Sequence, residues 1–401
     1  MKSEWHKVPL RELVGYISKG IAPIYSEKST GTTISVLNQK CNRNFQISYA
    51  EARLHNMTQK KVPVERLIRK DDILINSTGT GTAGRVAQIR SVPCRTTVDG
   101  HMIILRANEK VMQRYLGYAI KAHQSEILQL DEGSTGQTEL NRERLLDEIM
   151  ICYPESIIVQ EKIVTIFECI DQKIVVNKKI NDNLEQQAAT YFQELFINNA
   201  NPVWQISTIS DLGTVVGGST PSKTKPEYYT NNGIAWITPK DLSINKSKFI
   251  SHGENDITEL GLKNSSATVM PKGTVLFSSR APIGYIAIAS NEVTTNQGFK
   301  SVIPYSEIGT AFVYFFLKHS LPVIESAASG STFKEISGSA MKNIPAIIPD
   351  RSTLDQFNSF CAPIFAQQKI LEDQNYSLAM LRDSLLPKLM SGAIDIASIQ
   401  L

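Results

Sequence analysis

Apolar residues recur with a seven-residue period in two long stretches of the chain. In residues 163–195, one heptad position holds Ile163, Ile170, Asn177, Leu184 and Tyr191, and a second holds Ile166, Lys173, Ile180 and Gln187. In residues 357–389, the same two positions hold Phe357, Ile364, Leu371, Leu378 and Leu385, and Phe360, Gln367, Gln374, Leu381 and Lys388. The pattern predicts two long amphipathic helices with a coiled-coil stripe that polar residues interrupt.

Those polar residues allow two interpretations. They fix the register of a helix pair, as a buried Asn at a heptad position does, or they face solvent because the helices pair over only part of their length. Each helix alone is also typical of an ordinary core helix. Two helices that share one heptad register, each at the end of a similar block, favour a helix pair with a structural role.

Shorter patterns precede the first long helix. Apolar runs or alternating residues, bounded by turn-forming residues, predict strands over 34–39, 72–77, 85–89 and 101–107. The helical spacing of apolar residues predicts a helix over 115–130. The first block is therefore β-rich with one substantial helix.

The block after the first long helix repeats this order. The matching segments are 236–242 with 35–41, 273–290 with 71–89, 294–304 with 96–106, and 312–319 with 115–122. Their offset falls only from about 201 to about 195 residues. We therefore predict an α+β fold in which two β-rich α/β domains form a tandem repeat, separated by two long antiparallel coiled-coil helices. The predicted boundaries are 1–155, 156–200, 201–350 and 351–401.

A linked pair of binding domains gains effective concentration for a ligand with two parts. A 33-residue helix (163 to 195) at about 1.5 Å per residue is about 50 Å long. This length is comparable to about one and a half turns of B-DNA. The helices are therefore interpreted as spacers.

Composition places few limits on function. The chain has 401 residues, with 42 Lys and Arg against 39 Asp and Glu, so the net charge of +3 is weak evidence about partners. Five scattered cysteines without a C-x-x-C motif indicate neither a disulfide framework nor a zinc site. No apolar run approaches the length of a membrane span. We expect a cytoplasmic protein with no membrane contact.

The loop GTGTAG at 79–84 matches a dinucleotide-binding glycine pattern. That chemistry requires a helix N-terminus after the loop, but the next residues alternate like a strand and reach Pro93. We therefore interpret the segment as a loop between two strands. Its hydroxyls and backbone N–H groups suit contact with phosphates or base edges.

Basic and hydroxyl residues in the loops of both blocks are candidate DNA contacts, although each is equally compatible with a solvated surface. In the first block they are Lys40, Ser77, Thr78, Arg85, Arg95, Thr135 and Gln137. In the second they are Lys223, Lys225, Tyr228, Lys240, Ser278, Ser279, Arg280, Thr332 and Lys334. Arg280 is prominent because arginine is the commonest specific reader of guanine.

Catalytic motifs are not apparent in the sequence. It contains no H-E-x-x-H, no G-x-S-x-G, no nuclease-like acidic cluster and no N-P-P-Y type motif for base methylation. We therefore expect no catalytic residue and no metal ligand. A nuclease ranks below a tandem protein-interaction scaffold, which the modest net charge supports, and both rank below a DNA sequence reader.

Four segments carry a family resemblance when taken together and in order. They are GGSTPSKTKPEYY with GIAWITPKDL at 217–242, LFSSRAPIGYIAIA at 276–289, TTNQGF at 294–299 and LLPKLMSGAI at 385–394. With them the chain resembles the specificity subunit of a type I DNA restriction–modification system. The first half departs from this pattern, with STGTGTAG in place of SSRAPIG and SVLNQK in place of WITPKD.

The resemblance implies a division of labour. Each block would be a target recognition domain that reads one half of a bipartite double-stranded DNA target, and the helices would set the gap. Two modification subunits, which bind S-adenosylmethionine and methylate adenine, would dock on the helical region. Restriction subunits would add translocation and cleavage that depend on ATP and Mg²⁺. This chain, from a bacterium or archaeon, would hold none of these cofactors.

Overall fold

The computed structural model describes residues 4–132, 139–330 and 334–396. The strands up to the first long helix are β1 (Trp5–Pro9), β2 (Val14–Lys19), β3 (Tyr25–Ser26), β4 (Thr33–Leu37), β5 (Asn42–Arg43), β6 (Gln46–Ile47), β7 (Arg53–Asn56), β8 (Ile73–Asn76), β9 (Val86–Gln88), β10 (Thr96–Val98), β11 (Met102–Ala107), β12 (Asp131–Glu132), β13 (Glu139–Leu140) and β14 (Met150–Pro154). Those after it are β15 (Gln205–Thr208), β16 (Gly213–Gly217), β17 (Tyr229–Thr230), β18 (Ile234–Ile237), β19 (Phe249–Ile250), β20 (Asn255–Ile257), β21 (Val275–Ser279), β22 (Ile283–Ala289), β23 (Thr294–Thr295), β24 (Lys300–Pro304) and β25 (Pro345–Ile348).

Two of the helices are far longer than the rest. The α-helices are α1 (Gln113–Ala122), α2 (Gln124–Ile127), α3 (Arg142–Glu148), α4 (Ile157–Gln193), α5 (Pro239–Ile244), α6 (Glu259–Lys263), α7 (Thr310–His319), α8 (Leu321–Ser326), α9 (Gly338–Lys342) and α10 (Arg351–Met390). None of the described helices has the length and apolar character needed to cross a membrane.

The chain divides into two compact units. The first comprises the chain up to Gln172 together with the segment from Leu378 onward, and the second comprises Lys173–Ser377. The long helices α4 and α10 therefore contribute residues to both units. This division differs from the predicted boundaries, which treat each long helix as a segment of its own.

Apart from the additional edge strand β19 in the second unit, the sheets of the two units have the same strand order, which confirms the predicted repeat and fold class. The first contains the pair β1-β14, the sheet β2-β11-β8-β9 and the sheet β10-β4-β7-β3. The second contains the pair β15-β25, the sheet β16-β24-β21-β22-β19 and the sheet β23-β18-β20-β17. The four predicted strands of the first block are confirmed as β4, β8, β9 and β11. The predicted helix over 115–130 is instead broken at His123, whose backbone (φ −96°, ψ 15°) leaves the helical region.

Residues of the long helices complete the core of each unit. In the first unit, Ile163 and Phe167 of α4 and Leu386 of α10 are buried with side chains from the sheets and α1. In the second, Phe192 of α4 and Phe357 of α10 are buried with side chains of α7 and the large sheet. Each apolar side chain of this size contributes about 1.5–3 kcal/mol by leaving water.

The structure corrects the second heptad position of both helices. Residues at the first position, such as Ile163, Ile170, Phe357 and Ile364, are buried. The second buried position lies four residues further on, at Phe167, Ile174, Asn181 and Ala188 of α4 and at Cys361, Gln368, Asn375, Arg382 and Leu389 of α10, all buried or partly buried. The prediction placed it three residues on, where Ile180 is 40% exposed and Leu381 is 48% exposed.

Asn177 lies fully buried between the long helices of the second unit. Its Nδ2 donates to Oδ1 of Asn375 (3.0 Å) and to Oε1 of Gln374 (3.3 Å). Further along α4, Asn181 Nδ2 donates to the Gln368 carbonyl (3.4 Å). Residue numbers rise along α4 as they fall along α10, so the helices run antiparallel in this unit. For Asn177 the register interpretation holds, whereas Lys173, Gln187, Gln367 and Lys388 are exposed.

The repeat also places two equivalent lysines in different electrostatic surroundings. Lys318 of α7 donates to Glu185 Oε1 of α4 (2.5 Å), and the buried Lys248 also pairs with Glu185. Burial alone would raise the pKa of Glu185, but the two ammonium groups lower it below its ordinary value. Lys121 of α1, the counterpart of Lys318, has a buried ammonium with no hydrogen-bond partner among the described residues. Burial, reinforced by the charge of Arg382, lowers the pKa of Lys121 to about 8.

We expect Lys121→Met to raise the free energy of unfolding at pH 7 by about 1–2 kcal/mol, because it removes a charge that burial disfavours while keeping most of the packing. The gain is limited because the ammonium lies 4.5 Å from the centre of the Phe45 ring, a favourable cation–π contact. Lys318→Met is the matched control and should destabilise the protein, because Glu185 loses a partner. Denaturant unfolding of both variants measures these signs.

The lowered pKa of Lys121 predicts that the stability of the protein depends on pH. The pKa of Lys121 is about 8 in the folded chain against 10.5 for an ordinary lysine, so the unfolded chain binds more protons between these values. The contribution of Lys121 to the free energy of unfolding therefore rises between about pH 8 and 10.5. This gain is lost as the pH falls back to 8. The stability difference between wild type and Lys121→Met should shrink over this range. A constant difference would contradict the assignment.

We expect Asn177→Leu to stabilise the second unit by about 1 kcal/mol, because the buried Asn177 Oδ1 has no hydrogen-bond partner among the described residues. The exposed Asn183→Leu on the same helix serves as the control and should change stability by less than about 0.5 kcal/mol. Thermal unfolding of the two variants measures the difference. A loss of stability in Asn177→Leu would show that its hydrogen bonds outweigh the unpaired oxygen.

Candidate functional site

Four loops converge at one place in the second unit, and together they are called the motif surface here. They are residues 217–221, 238–241, 278–284 and 294–299. All four lie within segments that carry the family resemblance. The strands explain the convergence. β18 and β23 are parallel neighbours, with Trp236 opposite Thr294, so the loops that follow them leave the sheet at the same edge.

Backbone and side-chain hydrogen bonds lock these loops together. Ser219 N donates to the Thr295 carbonyl (2.8 Å), and the indole N–H of Trp236 donates to the Ser219 carbonyl (3.0 Å). Ser279 N donates to the Gly298 carbonyl (2.8 Å). Thr220 also donates from its hydroxyl to Gln297. These hydrogen bonds therefore hold the loops of the motif surface in one defined arrangement.

Arg280 occupies the tip of the hairpin between β21 and β22. Its side chain is 39% exposed, and its Nη1 lies 3.4 Å from Glu335 Oε2. Lys300 Nζ lies 3.7 Å from the other oxygen of the same carboxylate. The loop thus presents a guanidinium whose orientation is set by an acidic neighbour, a geometry suited to hydrogen-bonding an anionic or acceptor-rich ligand.

The two serines beside Arg280 are not available for contact with a ligand. Both are fully buried in β21. Ser278 Oγ donates to the Pro282 carbonyl (2.8 Å) and accepts from Tyr285 N (2.7 Å), and Ser279 Oγ donates to Glu335 (3.4 Å). Their prediction as DNA contacts is corrected. They shape the hairpin that carries Arg280.

Tyr228 is likewise corrected. It is only 6% exposed, and its ring lies 5.4 Å from Lys225 Nζ. The neighbouring Tyr229 is half-buried, donates from its hydroxyl to the Pro221 carbonyl (2.6 Å) and packs edge-on against Trp236. Neither ring is free to stack on a base. Lys223 and Lys225 are exposed, as predicted basic loop residues should be.

Two further lysines lie at different places. Lys240, at the start of α5, is exposed and pairs with the exposed Glu254 (2.6 Å). An exposed pair of this kind contributes little to stability and exchanges readily for another anion. Lys334 is exposed in the segment that leads into Glu335.

In the first unit, a chain of hydrogen bonds links the equivalent loops. Gln39 Nε2 donates to Thr78 Oγ1 (2.6 Å), and Thr78 Oγ1 lies 2.8 Å from His101 Nδ1. Asn38 caps the helical turn after β4 as Thr238 caps α5, so Lys40 occupies the place of Lys240. The same scaffold therefore carries a lysine at this position in both units, but Thr78 in the first unit where the second has Arg280.

The glycine-rich loop 79–84 joins β8 to β9, which pair as antiparallel strands. The interpretation as a loop between strands is confirmed, because no helix follows it. Gly79, Gly81 and Gly84 all have positive φ values, which side-chain-bearing residues rarely adopt. The loop thus turns tightly back into the sheet.

The remaining candidates of the first unit lie around these loops. Ser77 is fully buried, so its prediction as a DNA contact is corrected. Arg85 donates from Nη2 to the Gly81 carbonyl (2.9 Å) and so braces the loop. Lys40 and Arg95 are exposed. Thr135, Gln137 and Thr332 lie outside the described residues.

Sequence reasoning missed Gln39, His101, Gln297 and Glu335. Gln39 and Gln297 lie within segments discussed above, but the prediction selected basic and hydroxyl residues as the DNA contacts. Within the described residues, no group of three or more His, Cys, Asp or Glu side chains is arranged to hold a metal ion.

Comparisons with known proteins place this arrangement in a family. The model of the type I restriction modification DNA specificity domain matches the chain twice, over residues 2–186 and 202–373. The specificity subunit of the type I restriction enzyme MjaIX from Methanocaldococcus jannaschii is 43% identical over 162 residues, which are 40% of this chain and 37% of that protein. The specificity subunit of the HindI enzyme from Haemophilus influenzae is 28% identical over 194 residues, 48% of this chain and 42% of that protein.

The matched regions thus span about two fifths of these curated relatives. Among solved structures, the type I restriction–modification S subunit from M. genitalium matches with a TM-score of 0.58 at 16% identity, covering 97% of this chain and 96% of that one. At this identity the match supports the fold alone. The two family-model matches together cover most of the chain, and the chain belongs to the family of type I restriction–modification DNA specificity proteins.

Proposed function

We propose that this chain is the DNA sequence-recognition subunit of a type I restriction–modification enzyme. The observation that carries the proposal is the motif surface, where four loops of the second unit carry Arg280, Lys240 and Gln297 and hydrogen bonds link the loops. Arginine and glutamine side chains are suited to read guanine and adenine edges in the major groove. Lysines such as Lys223 and Lys225 suit contact with phosphates.

Each unit reads one half of a bipartite target in this proposal. The two units share one strand order but differ in the side chains that their loops present. The loop residue that forms a backbone bridge to the equivalent glutamate, Glu139 or Glu335, is Thr78 in the first unit and Arg280 in the second. Different side chains on one scaffold support different half-sites.

The long helices set the gap between half-sites and dock two modification subunits. Both helices keep apolar side chains exposed in the second unit, among them Val176, Ile180, Ile370 and Tyr376. Exposed apolar positions on a helix that already packs on another face suit a protein partner. S-adenosylmethionine belongs to the modification subunits, and ATP and Mg²⁺ to the restriction subunits, so this chain is the non-catalytic member of a cytoplasmic complex.

Binding of purified complex to DNA tests the proposal. The chain, assembled with its modification subunits, should bind a duplex containing a site that the complex methylates at least about 10³-fold more tightly than a random duplex. Changing either half-site alone should remove most of this preference. Equal affinity for all duplexes would overturn the proposal and favour a protein-interaction scaffold.

We expect Arg280→Ala to weaken binding to the cognate duplex by about 1–3 kcal/mol, because a bidentate base contact is lost. Binding to random DNA should change far less. Arg351→Ala is the matched control, since Arg351 is an exposed arginine at the start of α10, paired with Asp355 and distant in sequence from the loops. Equal losses on cognate and random DNA would instead place Arg280 on the phosphate backbone.

A further inference from the structure

Glu335 places a carboxylate beside Arg280 of the motif surface, where a DNA-binding protein would be expected to avoid negative charge. Its two oxygens lie beside Arg280 Nη1 (3.4 Å) and Lys300 Nζ (3.7 Å). Resting on the proposed function, we propose that Glu335 is a positioning residue that directs Arg280 to a base edge and keeps it off the phosphates. The motif surface thereby gains sequence discrimination at the expense of total affinity.

The backbone around Glu335 is held firmly enough for this role. Glu335 N donates to the Ser329 carbonyl (2.9 Å), and the Glu335 carbonyl accepts from Ser329 N (3.0 Å). Ile336, the next residue, is fully buried and donates from its N–H to the Ser279 carbonyl (3.1 Å). The backbone that bears the carboxylate is therefore tied by hydrogen bonds to the hairpin that carries Arg280.

The charges explain why a fixed carboxylate favours bases. A free arginine at a DNA surface pairs with any phosphate, because attraction to the backbone is independent of sequence. A guanidinium whose Nη1 already contacts Glu335 is biased toward one orientation of its plane and its remaining N–H donors, and bidentate pairing with guanine requires such a plane. The same carboxylate repels a phosphate that approaches Arg280 and so disfavours contacts of Arg280 with the DNA backbone.

The repeat supplies an internal comparison. Glu139 of the first unit forms a backbone bridge to Thr78, as Glu335 does to Arg280, and the next residue, Leu140, is buried and donates to the Ser77 carbonyl (2.7 Å). Glu139 pairs with Lys19. The glutamate is thus present in both units, but only the second has an arginine at the bridged loop position.

Glu335→Gln tests the proposal because it removes the charge and keeps the size of the side chain. In the complex with modification subunits, affinity is measured for a duplex that the complex methylates and for a random duplex of the same length. We expect affinity for random DNA to rise by severalfold and the cognate-to-random ratio to fall by about tenfold, within the range of one lost bidentate contact. A purely structural role would lower both affinities and the thermal stability together.

Glu139→Gln is the matched control, since it removes the same charge where no arginine is to be oriented. It should raise affinity for random DNA similarly and leave the ratio within about twofold of wild type. In an Arg280→Ala background, Glu335→Gln should no longer change the ratio, and Glu335→Asp should retain part of it.

An unchanged ratio in Glu335→Gln, or equal falls in both glutamine variants, would overturn the inference while the proposed function stands. If Glu335→Gln fails to fold, the stability of Glu335→Asp and its ratio decide between a structural and a positioning role. A wild-type ratio near one would overturn the proposed function itself, and the inference with it.

Discussion

The packing of each long helix into the cores of the β-rich units is the constraint on which the rest of the structure depends. Phe167 of α4 and Leu389 of α10 belong to the core of the first unit, and Phe192 of α4 and Phe357 of α10 belong to the core of the second. Neither unit closes its core with its own block of sequence alone. The helices are consequently part of each domain, rather than linkers added to two finished domains.

This constraint also explains where polar groups are tolerated in the helix stripe. Asn177 is buried but hydrogen-bonded to Gln374 and Asn375, and Asp171 of the first unit accepts from Tyr118 Oη (2.9 Å) and Arg382 Nη1 (2.9 Å). Buried polar groups with partners cost less than unpaired ones, and they disfavour other registers of the same helices. The cations of the motif surface, by contrast, pair with acidic groups near the surface, Lys240 with Glu254 and Arg280 with Glu335.

Much of the fold could be predicted from the sequence because the chain contains the same series of elements twice. The repeat identified strands of both blocks and the order of the elements without any structure. The second heptad position could not be found in the same way. Ile180 and Leu381 suggested a spacing of three residues, while the true positions include Asn181, Gln368 and Asn375, whose polar side chains hide the spacing of four.

The candidate site was harder to predict, since burial depends on tertiary contacts. Ser278, Ser279 and Tyr228 have the chemistry of contact residues, yet strand β21 and the packing of the tyrosine place them inside the protein. Gln39 and Glu335 are ordinary in sequence and acquire significance only from the residues that they contact, Thr78 and Arg280.

Sequencing of methylated adenines in the host genome, with and without this gene, tests whether the chain determines the methylated sequence. One bipartite motif with a fixed gap should vanish when the gene is removed. Exchange of residues 201–350 for those of another family member should change one half of the motif while the other half stays. Methylated sites that persist without the gene, or an exchange that leaves both halves unchanged, would contradict this role.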